Sequence, residues 1–283
     1  MACAFILVVG CTPGQDPGVT SENGAPSRSG SAPISRRVDV SGDESPTSGR
    51  AVVAETLAYA DVDNQLVKGH FVFPEDMVNP LPAVILIHEW LGLDDVTRGL
   101  ADQIASEGFI VLAIDLYNGR TATTPPKARE LMLEVVENPT FATDNIRQAS
   151  EWVLTTTGAT MVATVGYGFG GGWSLSAAMT LPDKVDATVI YYGQVSDNAE
   201  ALDTIDAPIL GLFGGADSAV PVESVTGFEN ALEVLGKDFV IDVYPGAGSG
   251  FATPGHRNFD EKLARKSWST MVSFLHQHLL TES

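Results

Sequence analysis

The chain reads as an α/β protein, with a mostly parallel sheet covered by helices on both faces and an antiparallel hairpin at its N-terminal side. Three observations lead there. Short aliphatic and β-branched runs such as Ala83–His88 lack polar alternation, as strands buried on both faces require. Amphipathic stretches separate these runs, joined by short loops, which is the rhythm of strand–helix–strand units. With 283 residues, 44% of them apolar, the chain has enough material for one large domain with a substantial core.

The elements follow in order. Glu55–Ala60 and Leu66–Phe73 flank Asp61-Val62-Asp63-Asn64 and predict the hairpin. After Pro80 the rhythm changes to buried strands and helices. Strand Ala83–His88 precedes a helix over Asp95–Ser106, then strand Phe109–Ile114 and helices near Pro125–Val136 and Asp144–Thr155. Strand Met161–Gly166, helix Gly170–Met179, strand Ala187–Tyr192 and strand Ile209–Phe213 come next. Helix Val222–Leu235, strand Phe239–Tyr244 and a helix from Asp260 to about Leu280 complete the series. No repeat or coiled-coil heptad is visible.

The segment ahead of the hairpin has a different character. Residues 12–50 are rich in Ser, Gly, Pro and Thr and cannot bury enough surface to offset ordering entropy, which predicts a flexible tether. Its five acids and four arginines carry a net charge of −1, so almost all of the formal charge of −20 belongs to residues outside it. Such acidity repels phosphate backbones and argues against a nucleic-acid partner. The two cysteines, Cys3 and Cys11, both precede the predicted fold, so no disulfide framework or C-x-x-C motif exists. An apolar run, Ala4–Gly10, leads into Cys11 and resembles a bacterial lipoprotein signal over residues 1–11. It lacks a preceding Lys or Arg and is shorter than usual. The expectation is a membrane-anchored envelope or periplasmic protein, with a cytoplasmic one as the alternative.

Ligands of such sheets bind beyond the carboxyl ends of the strands. Three strand ends are distinctive. Ile87-His88-Glu89-Trp90-Leu91-Gly92 places a carboxylate where a buried strand emerges, which is costly unless the group is partnered or functional. Val165–Trp173 contains Gly166-Tyr167-Gly168-Phe169-Gly170, the shape of a nucleophile elbow at a strand-to-helix turn. Phe213–Asp217 is followed, after one more strand, by Tyr244–Phe251. Nucleophile, acid and histidine in that chain order mark α/β-hydrolases.

On these motifs, together with the Asp115-Leu116-Tyr117 strand end, the chain from about Ala51 to Leu280 resembles the dienelactone hydrolase family. The resemblance implies an α/β-hydrolase fold, and a Cys or Ser nucleophile with a His base and an Asp, acting on esters or lactones. It also implies an assisting glutamate at Glu89 and an oxyanion hole from the backbone N–H groups of Trp90 and Phe169, with neither cofactor nor metal. Two positions depart from it. Gly168 stands at the nucleophile and Ser249 at the histidine, leaving Asp217 alone of the three. Nucleophile and base act as a unit, so losing either removes most of the rate. The expected protein is a pseudoenzyme that keeps a pocket for a small apolar or ring-shaped ester- or lactone-like ligand, with Trp90, Tyr117 and Tyr167 as aromatic walls. The alternative is a working hydrolase in which Glu89, Asp217 or His256 activates water.

Other readings weigh against several of these residues. Gly166–Gly171 also fits the dinucleotide fingerprint, but Asp186, at nearly the right spacing, precedes its strand instead of ending it. Glu89 could serve a structural ion pair, Asp217 a turn or helix cap, and His88 strand-end packing. His256, seven residues after Ser249, lies in the loop that would deliver a histidine. Ser174 and Ser176 fall inside the helix after the elbow and read as packing residues.

Deleting residues 1–48 should leave the thermal midpoint of the remainder nearly unchanged, since that composition supports no core. A calorimetric drop of many degrees would show that the segment docks on the body.

Overall fold

A computed structural model describes residues 49–280, so the 1–11 segment, Cys3, Cys11 and nearly all of the 12–50 stretch lie outside the described residues. Eight strands form a single sheet: β1 (Val52–Val62), β2 (Gln65–Pro74), β3 (Ala83–Ile87), β4 (Ile110–Ile114), β5 (Val162–Tyr167), β6 (Ala187–Tyr191), β7 (Ile209–Gly214) and β8 (Phe239–Tyr244). Their spatial order is β1-β2-β4-β3-β5-β6-β7-β8. The first two steps across the sheet, β1 to β2 and β2 to β4, are antiparallel, and every later pair is parallel.

The hairpin turns at Asp63 and Asn64, both at positive φ (52° and 60°), a conformation these two residue types tolerate and a tight hairpin turn demands. Strands β3 and β4 are buried at every position, which is why their sequences run aliphatic without alternation. Side chains from successive residues of one strand enter two different cores. Ile85 and Ile87 pack on the face covered by α2 (Pro125–Glu137), α3 (Pro139–Thr157) and α6 (Val222–Leu235), through residues such as Leu131, Ile146 and Phe228. Val84 and Leu86 pack on the other face, beneath α1 (Asp95–Ser106) and α7 (Glu261–Leu279), through Leu100, Ile104, Met271 and Leu275.

Local signals set the helix ends. Asp94 caps α1, its Oδ1 accepting the Thr97 N–H at 2.9 Å. Gly158 and Gly236 close α3 and α6 in the left-handed region. Helix α3 starts at Pro139, five residues before the sequence reading placed it, because a proline is compatible with a helix's first turn. The one-turn α5 (Ala199–Leu202), capped by Asn198, is too short to show periodicity and was not legible.

Helix α4 (Phe169–Thr180) positions the site. It begins directly after β5 and lies close on the strand ends. A Cβ on Gly166 would collide with the Gly170 carbonyl, and one on Gly170 with the Ile87 and His88 carbonyls. Gly171 approaches the Tyr191 carbonyl and Gly193 in the same manner. Gly166, Gly170 and Gly171 of the fingerprint-like stretch are thus consumed by helix–strand contact.

Gly170→Ala should lower stability by at least about 2 kcal/mol, because the methyl meets backbone that cannot move cheaply. Gly172→Ala is the control, since its Cβ would meet nothing closer than 3.6 Å and alanine favours a helix interior. Chemical denaturation that ranks the two variants equal would contradict this packing.

Candidate functional site

The carboxyl ends of β3, β4, β5 and β7 and the loop after β8 carry the residues singled out above. Immediately after β5, Gly168 adopts φ +54° and ψ −113° as the residue preceding α4. Its N–H donates to the Tyr191 carbonyl at 2.9 Å, and its carbonyl accepts from Gly171 N–H at 3.0 Å. Unlike its neighbours, Gly168 has room: an added Cβ would lie 3.7 Å from the Glu89 side chain. The turn therefore has the sharp backbone of an elbow, with open space where a side chain would project toward Glu89.

His88 is fully committed. Its Nδ1 lies 2.6 Å from the Glu89 carbonyl and its Nε2 accepts the Leu116 N–H at 3.0 Å, which fixes a neutral ring protonated on Nδ1. Burial lowers its pKa from the ordinary 6.5, against the opposing influence of Asp115. The ring packs on Tyr117, with centroids 4.6 Å apart. Asp115 is equally occupied, accepting backbone N–H groups from Tyr117 and Gly119. These residues shape the loop that carries Glu89 and Trp90.

Glu89 is held from the far side of the cleft. Thr253 Oγ1 donates to Glu89 Oε1 at 2.7 Å, and Tyr192 OH lies 2.6 Å from Thr253 Oγ1. With the threonine proton given to Glu89, the tyrosine is the donor of the second bond, so the chain runs from Tyr192 to Thr253 to Glu89. Tyr192 sits at φ +38°, a conformation costly for a residue with a Cβ, and it aims the phenol into this network. Burial raises the Glu89 pKa above its ordinary 4.5; the Thr253 bond opposes the rise and nearby Asp94 adds to it. Sequence reasoning missed Thr253 and Tyr192 because Thr253 and Glu89 are 164 residues apart and neither motif names a hydroxyl partner.

Asp217, only 7% exposed, spends Oδ1 on the N–H groups of Ala219 and Val220, capping the turn before α6. Its Oδ2 is buried without a hydrogen-bond partner among the described residues. Among the described residues Ser249 makes no side-chain hydrogen bond; its carbonyl accepts Asn258 Nδ2 at 2.9 Å. The His256 ring lies against Gly250, with Nδ1 accepting the Asn258 N–H at 3.2 Å. Burial lowers the His256 pKa, helped by Arg257 and opposed by Asp217, so this ring faces the field of Asp217 without pairing to it. Of the three aromatic walls expected, Tyr117 and Tyr167 are buried beneath the site. Trp90 is the partly exposed one, lining an apolar cleft of about 480 Å³ with Pro125, Pro126, Arg129 and Met132.

The amides of Trp90 and Phe169 find no acceptor within the described protein, and Phe169 is the first residue of α4. Asp186 accepts the Val162 N–H at the opposite end of the sheet, so it is not placed to bind a ribose. Ser174 donates to Thr164 in the core, as a packing residue would.

The profile described as the dienelactone hydrolase family matches residues 67–279. The chain belongs to the dienelactone hydrolase family. "Protein usf" of Aquifex pyrophilus is 30% identical over 205 residues, covering 70% of this chain and 89% of that protein. A Saccharolobus solfataricus protein named "Putative carboxymethylenebutenolidase" is 26% identical over 258 residues, covering 78% of this chain and 98% of its own length. Among solved structures, a dienelactone hydrolase-like promiscuous phosphotriesterase from metagenomic libraries superposes with a TM-score of 0.74 at 21% identity, over 81% of this chain and 99% of its own. Dienelactone hydrolase from Anabaena variabilis does so with a TM-score of 0.62 at 20% identity, over 81% and 99%. The architecture is accordingly the α/β-hydrolase fold of dienelactone hydrolases, with Gly168 at the turn that ends β5 and Asp217 in the loop that follows β7.

The raised pKa of Glu89 makes stability depend on pH. The folded protein holds this proton more tightly than the unfolded chain, so the contribution is complete below about pH 4.5 and declines as pH rises through the folded value. Glu89→Gln never ionises. Its thermal midpoint relative to the parent protein should therefore increase from about pH 4 to about pH 8. A pH-independent difference in calorimetry would show that Glu89 ionises as easily in the fold as in water.

Proposed function

We propose that this dienelactone hydrolase family member is a ligand-binding pseudo-hydrolase with little or no ester or lactone hydrolysis. The observation that carries the reading is Gly168, which has the backbone of an elbow and no atom to attack a carbonyl. The rest of the site supports it. Asp217 keeps an oxygen free that no histidine takes, and Ser249 supplies no base. The two unpaired amides at Trp90 and Phe169 still offer an oxyanion hole, which binds a carbonyl oxygen without cleaving the ester. The apolar cleft at Trp90 suits a small apolar or ring-shaped group. With Cys11 lipidated, the domain would work at a bacterial envelope.

Two measurements test this. A serine- or cysteine-directed covalent probe should leave no adduct on residues 49–280, and a panel of activated esters and lactones should turn over no faster than with Glu89→Ala. A stoichiometric adduct in the domain, or Glu89-dependent turnover, would favour a rebuilt hydrolase instead. Repair provides the converse. Gly168→Cys alone should restore little, because a thiol without its base is mostly protonated. Ser249→His alone should restore nothing. The double variant should exceed their sum by orders of magnitude. A folded but inert double variant would show that the cleft has diverged beyond these two positions.

A further inference from the structure

Resting on the reading that no nucleophile fills the elbow, the geometry points to the class of ligand. We infer that the site takes a carboxylic acid, one oxygen on the Trp90 and Phe169 amides and the other sharing a single proton with Glu89 in the space above Gly168.

The polar groups around that space are mostly donors. Trp90 and Phe169 present two N–H groups with no acceptor in the described protein. The first turn of α4 adds a positive potential that favours an anion. Glu89 accepts from Thr253 through Oε1, and the Tyr192 hydroxyl also lies within reach of its carboxyl, so donors surround this group as well. A side-chain atom at position 168 would touch the Glu89 carboxyl at 3.7 Å, so a ligand atom filling the same space touches it too. In a hydrolase with a nucleophile this space is occupied.

The charged and titratable groups around Glu89 favour its neutral form. Asp94, from the cap of α1, opposes a second negative charge. Tyr167 at the end of β5 and Tyr192 after β6 stay protonated in their burial, and Thr253 comes from the loop before α7. His88, next in the chain, is neutral with both nitrogens bonded. A carboxylate arriving beside Glu89 thus meets a carboxyl O–H, and the pair holds one proton because two adjacent anions repel. An ester offers a single strong acceptor and cannot share a proton, whereas a carboxylate offers two acceptor oxygens. The cleft that shares Trp90 with this site, lined further by Pro125, Pro126, Arg129 and Met132, takes an apolar ring or short chain, with the Arg129 guanidinium as the cation in its lining.

The test titrates the full-length protein with acetate, benzoate, phenylacetate and methyl phenylacetate, by calorimetry and by NMR, at about pH 5.5 and about pH 8. At least one acid should bind at the lower pH and weaken by roughly tenfold per pH unit once Glu89 ionises. The methyl ester should bind more weakly than its acid at the lower pH and show no such dependence. Glu89→Gln, which keeps a permanent donor, should bind the acid with equal affinity at both pH values. No acid bound at about pH 5.5, pH-independent binding by the parent protein, or the same pH dependence in Glu89→Gln would each overturn the inference. Release of methanol from the ester is a separate signal, and it would instead overturn the pseudo-hydrolase reading.

Discussion

Helix α4 can sit on the sheet only because the residues at its start have no side chains. Its first turn touches the backbone at the ends of three strands: Gly170 lies against the carbonyls of Ile87 and His88 from β3, and Gly166 at the end of β5 faces Gly170 itself. Gly171 meets the Tyr191 carbonyl at the end of β6. These contacts aim the free N–H groups of α4 into the crevice at the carboxyl edge, where α/β sheets place their ligands. They also set the distance between the elbow and the Glu89 loop. A methyl group inserted at this junction would move the whole carboxyl edge.

Gly168 belongs to a different category. It is surrounded by ordinary van der Waals space, and only its positive φ favours glycine. Holding a residue with a Cβ there would cost on the order of 1–3 kcal/mol. The neighbouring glycines are demanded by packing, while this one relaxes a strained backbone. Strain remains elsewhere on the same edge, at Tyr192 with φ +38°, where the phenol supports Thr253 and through it Glu89. The residue whose strain would serve covalent chemistry is relaxed, and the one that holds the carboxyl in place is not.

Much of this was legible in the sequence. The unalternating runs at Ala83–Ile87 and Ile110–Ile114 reveal strands buried on both faces, because no polar residue survives in such a place. Motif order was enough to locate Glu89, Gly168 and Asp217 at strand ends. What escaped is what depends on distant parts of the chain meeting. Thr253 reaches Glu89 and Tyr59 reaches Asn145 across intervals that no local period encodes. Aromatic residues near a motif also say nothing about which side of the backbone they occupy. Tyr117 and Tyr167 turn inward and Trp90 stays partly open, a distinction set by the loop that His88 ties down.

The free oxygen of Asp217 connects these strands of reasoning. A buried acceptor left without a partner costs about 1–3 kcal/mol, a large fraction of a typical net stability. The fold bears that cost while supplying both turn amides to the other oxygen of the same carboxyl. Such one-sided satisfaction is what an aspartate shows when its second oxygen is shaped to orient a ring N–H, as in a hydrolase triad. His256 lies within its field yet spends Nδ1 on Asn258. Glu89, by contrast, is supported through a two-bond relay that includes a strained tyrosine. The polar organisation of the carboxyl edge is therefore asymmetric: among the described residues Asp217 holds one oxygen without a partner, while Glu89 is supported through Thr253 and Tyr192. A site so arranged presents Glu89 and the two amides on one side, and a glycine without a side chain at the elbow on the other.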